Sequence, residues 1–392
     1  MDTNMEMLIL NNILDFNVTE IPEQTRFWMI RTQQGYFYDE FLAKGFVALA
    51  WNNIDQATDV SESAKEYLKD DIMMKFPEII RPSTVINKCT NFIYEVKEGD
   101  ILVIPNKGSQ YITFATAGAY FEDASKTVVL EKAVINRIKN KDVDIHDVSC
   151  PYKKRRKIKL LRSIKSSDVN ISLYRAISNY HGISNLDNYA YQILNELYNC
   201  YSYKEYTALV YNVRKTTPIK PRELNRLIYG NIECLCSIIP EDYISTQIDL
   251  HSPGDVIYML ENIYDFAKDN WTVIFALLIF FGGGSALSFK VPGLIDIIKN
   301  ILSTPEELRT KRLDNDYKAL QIEAQELEIQ NKRLELQRKL MDSGISPETL
   351  VEPLRAVTES TSSLQAEPII LGEPFTISED NENEESSDIE EE

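Results

Sequence analysis

The sequence predicts an α+β chain with five parts in order: a β-rich N-terminal domain, a helix-rich middle module, a hydrophobic segment of membrane type, a coiled coil and a disordered acidic tail. Three observations carry that prediction. Short apolar and β-branched runs alternate with turn residues up to about residue 166. An uncharged run, Asn270 to Phe289, follows, and leucines then recur every seven residues from Leu313 to Leu334.

With 392 residues, 44% of them hydrophobic, the chain has material for two or three cores. Its net charge of −18, from 60 acidic against 42 basic residues, is concentrated in the tail, which has no apolar content to fold around. The remainder is nearer neutral. Five scattered cysteines, with Cys234 and Cys236 lacking the second pair a zinc knuckle needs, read as reduced cytosolic thiols. The opening "MDTNMEMLILNNILDF" carries acids where a secretory peptide needs a basic region, so residues 1–25 read as an N-terminal extension kept on the cytoplasmic side.

Residues 26–168 hold "FWMIR", "FVALAW", "ILVIP", "YITFATA" and "RKIKLL", separated by Gly35, Gly45, Gly99, Pro105 and Gly108. Strands at that spacing pack naturally as a small barrel. Residues 169–267 repeat apolar positions at helical spacing, with "YTALVYNV" as a strand, and read as a helix-rich α/β module.

The segment 268–302 is long enough to touch a bilayer, whose core needs ~20 apolar residues. Gly282, Gly283 and Gly284 interrupt it, each costing roughly 1 kcal/mol inside a helix. The expectation is a re-entrant segment in which Trp271, Phe275, Leu278 and Phe281 enter, the chain turns at Gly283, and Leu287 to Leu302 returns; such a turn must be shielded by protein and so calls for oligomerisation. The competing reading is a buried core helix ending in a glycine-rich loop.

Residues 303–343 read as a coiled coil. Leu313, Leu320, Leu327, Leu334 and Met341 form one line of the seam, and Tyr317, Ala324, Asn331 and Arg338 the other; a seam asparagine fixes register and strand number. Ile322, Ile329 and Leu336 make a second stripe on another face. A short helix occupies 344–364 and the acidic tail 365–392.

Catalytic motifs are incomplete. The glycine run lacks the Gly-Lys-Ser/Thr of a phosphate loop, Glu95-Val96-Lys97 lacks the upstream aspartate of a metal nuclease, and His146, His181 and His251 stand in no nucleophile or metal pattern, so no enzyme, metal or cofactor is expected. Lys153, Lys154, Arg155, Arg156 and Lys157 form the one concentrated basic segment, suited to phosphates or an anionic surface or simply solvated.

"RFWMIRTQQGYFYDEFLAKGFVALAWNNI", "FIYEVKEGDILVIPNKGSQYITFATAGAYFED" and "YKKRRKIKLLRSI" together resemble the PUA-like (EVE-like) N-terminal domain of restriction-system proteins of the Mrr type, over about residues 26–168. Trp28, Arg31, Gly35, Phe41, Gly45, Trp51, Lys97, Gly99, Asp100 and Pro105 fall on that pattern in order. "IRTQQG" and "TAGAYFED" depart from it, and the family's nuclease domain has no counterpart after residue 170. The resemblance implies a barrel that holds nucleic acid or a nucleotide ligand, with Trp28 and Trp51 stacking on a base and Arg31 and Lys107 gripping phosphate or a base edge. In combination with the hydrophobic segment and the coiled coil, this sensor predicts an antiviral defence effector that oligomerises on or in the membrane at its cytoplasmic face, or else a soluble nucleic-acid-binding oligomeric adaptor that recruits a separate nuclease, a partner protein of the same system.

Overall fold

The computed structural model describes residues 3–106, 108, 110–140, 148–178, 182–215, 217–249, 254–261, 268–281, 318–367 and 369. They divide into two compact units: an inserted unit, Thr25–Ala190, and a split unit made of Met1–Gln24 with Tyr191–Ile369.

In the inserted unit, six strands form one sheet: β2 (Phe27–Ile30), β3 (Phe46–Leu49), β4 (Ile101–Pro105), β5 (Tyr111–Glu122), β6 (Lys154–Lys165) and β7 (Ile183–Asn185), in the order β3-β6-β5-β4-β2-β7. β1 (Thr19–Ile21) belongs to the other unit. All neighbours are antiparallel except β2 and β4. The runs FWMI, FVAL and ILVIP are buried at every position, as strands covered on both faces must be. The long β5–β6 ribbon carries two register shifts, at Phe114/Ala115 and Ala117/Tyr120, and such bulges bend a ribbon and raise its twist. Helix α2 (Tyr38–Lys44) ends on Gly45 at φ +65°, the left-handed cap that glycine adopts at little cost, and this turns the chain straight into β3. The helices α3 (Lys65–Lys75), α4 (Pro82–Thr90) and α5 (Val128–Lys139) contribute Leu68, Ile72, Val85, Ile86, Cys89 and Val134 to the core around Trp28, Val47 and Leu102.

In the split unit, the sheet order is β1-β8-β9-β11-β10, with β8 Cys200–Tyr203, β9 Tyr206–Val213, β10 Ile244–Asp249, β11 Gly254–Glu261, and β12 (Ala366–Glu367) pairing with the end of β9. A core cluster joins this sheet to α1 (Thr3–Leu14), α8 (Pro221–Cys236), α9 (Lys268–Phe281), α10 (Lys318–Asp342) and α11 (Val351–Leu364). Two short helices, α6 (Ile171–Ile177) and α7 (Ala190–Leu197), precede β8 in sequence.

This arrangement corrects the expected fold class. The chain is a mixed α/β protein with two sheets, and the expected extension, middle module, hydrophobic segment and C-terminal helices contribute to one split unit rather than standing in series. The membrane-type segment is overturned most plainly. Helix α9 has 14 residues, about 21 Å, short of a ~30 Å hydrocarbon layer. Phe275 and Leu278 are fully buried and Phe281 nearly so, packed with Tyr211, Leu235 and Val357 in the core. A helix that is apolar all round is one buried all round, and here protein rather than lipid does the burying. Among the described residues no helix is long and apolar enough to cross a membrane. The Trp271 side chain and Gly283 lie outside the described residues.

Helices α8 and α11 approach so closely that a Cβ on Gly230 would stand 2.6 Å from the Pro353 carbonyl oxygen and 2.7 Å from Val357 Cγ2. Backbone cannot yield as a flexible side chain can. Gly230→Ala should therefore cost about 1–3 kcal/mol, read as a lowered urea midpoint, and an unchanged midpoint would contradict the close crossing.

Candidate ligand site at the Trp51 turn

Four of the ten residues that carry the resemblance, Trp28, Lys97, Gly99 and Asp100, form a hydrogen-bonded peg rather than a binding surface. Asp100, 3% exposed, accepts from the Arg26 backbone N–H at 3.1 Å, the Lys97 N–H at 2.8 Å and the Trp28 indole N–H at 3.0 Å. Gly99 at φ +90° supplies the backbone turn that brings the Lys97 amide round to the carboxylate. Trp28 is 1% exposed and the Arg26 guanidinium lies 4.7 Å from its ring centre, so the ring offers no free face to a base. Glu95 pairs with Arg26, and the Lys97 ammonium bonds the Tyr94 carbonyl, which leaves Glu95-Val96-Lys97 as part of the same scaffold.

The other tryptophan is placed differently. Trp51 follows β3, is half-buried, and sits at φ +69°, a left-handed conformation that a bulky residue adopts only under constraint. Two buried charges from distant segments hold it there. Glu131 on α5, 3% exposed, accepts the N–H groups of Trp51 and Asn52, each at 2.7 Å. Lys154 on β6, with no exposed surface, donates to the carbonyls of Trp51 at 2.6 Å and Ile54 at 2.7 Å. Burial pushes the Glu131 carboxyl above the ordinary range, opposed by those two N–H bonds and the Lys154 charge; burial likewise pushes the Lys154 ammonium down. Each charge thus pays for its own desolvation with bonds to one turn.

Other side chains meet the indole. The Lys88 ammonium lies 5.7 Å from its ring centre, and burial lowers that lysine's pKa. At Gly182 a Cβ would come within 3.4 Å of Leu49, 3.9 Å of Trp51 Cη2 and 4.0 Å of the Lys88 stem, so these three groups converge on a position without a side chain. The Gly182 carbonyl accepts the Arg31 N–H at 3.0 Å, and the Thr32 hydroxyl bonds the Ala48 carbonyl, which ties the ends of β2 and β3 side by side. Gln33 and Gln34 are also left-handed, at φ +50° and +56°, giving a second unusual turn beside the first. The structure therefore brings Arg31 and Trp51 to one end of the sheet, although Arg31 is only 6% exposed. Lys107 lies outside the described residues, as do His146 and His181.

The basic segment disperses once folded. Lys153 pairs with Asp55 and Glu122 at 2.6 and 3.2 Å. Lys154 is the peg just described. Arg155 pairs with Asp123, bonds the Tyr152 and Cys150 carbonyls and covers the Phe46 ring. Arg156, 3% exposed, directs its two terminal guanidinium nitrogens to the carbonyls of Gly118, Phe92 and Ile93. Within the segment only Lys157 is exposed. Strand alternation could have revealed this, because Lys154 and Arg156 share a face with Ile158, while Lys157 and Lys159 share the other. Glu131 had no comparable signal, being one acid in an ordinary amphipathic helix.

Comparison of the chain with protein-family models, curated proteins and solved structures finds no match.

If the turn rests on this pair of charges, Glu131→Gln should cost about 2–4 kcal/mol in urea denaturation, since an amide oxygen replaces two charged acceptors and Lys154 is left uncompensated. Glu131→Gln with Lys154→Met should cost less than the sum of the single changes; strict additivity would show that the two charges act separately.

Proposed function

We propose that this chain is a non-catalytic, cytoplasmic nucleic-acid-binding adaptor of a restriction-type defence system, in which the Trp51 turn takes an unpaired base and a separate nuclease is recruited. The observation that carries the reading is the positive-φ conformation of Trp51, held by buried Glu131 and Lys154. Local strain that the surroundings over-determine is characteristic of ligand clamps, and a half-buried indole next to a lysine presents a π-face and a cation together. The resemblance of residues 26–168 to PUA-like domains of restriction systems supplies the substrate class. Four buried free cysteines agree with a reducing compartment.

The dispersal of the basic segment shapes the mechanism. With Lys153, Lys154, Arg155 and Arg156 committed to internal partners, recognition rests on base stacking at Trp51 with few phosphate contacts, Lys88 being the cation that lies against the ring. Each phosphate contact on a single strand adds about −0.7 to the slope of log affinity against log salt, so that slope should be no steeper than about −2.

The test uses a fluorescein-labelled single-stranded oligonucleotide and the Trp51→Gly variant, in which the ring is lost while the backbone conformation suits glycine. Binding should weaken at least about tenfold, in line with ~1–3 kcal/mol per stacked base, while thermal stability is kept or raised. Equal affinity in wild type and variant, or no binding by either, would overturn the proposal.

A further inference from the structure

Helix α10 has two apolar faces, and the split unit uses one of them. Ile329, Leu336 and Leu340 are 5%, 0% and 0% exposed in the core, and Arg333 on the same side pairs with buried Glu6 of α1. The opposite face carries the heptad line expected of the coiled-coil seam, and there Leu327, Leu334 and Met341 are 60%, 47% and 57% exposed. Ala324, Asn331 and Arg338, the alternating seam positions, are exposed as well. Six consecutive seam positions thus lie open on a helix whose other side is fixed in a core. The side chain of Leu320 and all of Leu313 lie outside the described residues.

We infer that this face pairs with the same face of a second copy of the chain, and that the two α10 helices run antiparallel. The i, i+7 spacing of Leu327, Leu334 and Met341 is the periodicity that a partner helix of the same kind fills. Charge fixes the direction. In a parallel pair the seam would set Arg338 against Arg338 of the other copy, like charge against like charge. In the antiparallel pair that covers all six positions, Ala324 faces Met341, Asn331 faces Leu334 and Leu327 faces Arg338. Each Arg338 then lies next to the exposed Glu328 of the other copy. The small-against-large match of Ala324 with Met341 fits the same register. The inference stands independently of what the Trp51 turn binds.

The test takes the full chain through size exclusion with light scattering, next to Leu327→Glu/Leu334→Glu. Both positions are exposed in the single chain, so the variant should keep its fold by circular dichroism. Wild type should run as a dimer of the 45.1 kDa chain, and the variant should dissociate at least about a hundredfold more readily. A monomeric wild type, or a dimer indifferent to the substitutions, would overturn the inference. Orientation is read by cross-linking in a background where the exposed Cys236 is replaced by serine. Ala324→Cys/Met341→Cys should cross-link between copies and Ala324→Cys alone should not, because antiparallel helices hold the two copies of residue 324 about 26 Å apart. Cross-linking by Ala324→Cys alone would refute the antiparallel arrangement.

Discussion

A charge removed from water must find full hydrogen bonding or a partner, and the inserted unit is organised by how it meets that requirement. Asp100, Glu131, Lys154 and Arg156 are all nearly inaccessible, and most of the bonds they make go to backbone groups rather than to one another. Asp100 joins the start of β2 to the turn before β4; Arg156 joins β6 to the helical turn that follows α4 and to β5; Glu131 and Lys154 converge from α5 and β6 on a single turn after β3. Loops that would otherwise be free to move are thereby pinned to the sheet. The arrangement is costly to break on one side only, since the remaining partner would be left buried and unpaired.

Much of this was legible as pattern and little of it as role. The strands β2 to β6 stand out as apolar or alternating runs, and Trp28, Lys97, Gly99 and Asp100, far apart in sequence or separated by a turn, meet in the peg at Asp100. What one sequence could not display was the pairing of β1 with β8, which brings Thr19 beside Tyr201 and folds the N-terminal extension into the sheet of the split unit. Helix α9 misled for a general reason. An apolar stretch with no polar face has the same composition whether lipid or protein surrounds it, and only its 14-residue length and its neighbours decide. The basic segment misled because counting charges ignores the alternation of a strand, which turned its most concentrated part inward.

The two units meet the problem of unused surface in different ways. At the Trp51 turn the hydrogen bonds that hold a strained residue act on its backbone and leave its ring half-buried, so the fold bears the strain without enclosing the side chain. On α10 the second apolar stripe fills the core and the heptad stripe is left outside, an arrangement that permits association without disturbing the packing behind it. A base-binding turn on one unit and a self-pairing helix on the other would together let a dimer engage two unpaired bases, gaining effective concentration from the second contact.

The central claim is that the Trp51 ring is the contact surface for an unpaired base. It is tested most directly by ultraviolet cross-linking to a single-stranded oligonucleotide carrying 5-bromouracil, with the adduct located by peptide mass spectrometry. The account predicts an adduct on the peptide containing Trp51. An adduct confined to the exposed lysines of β6, or none at all under conditions where the oligonucleotide binds, would contradict it.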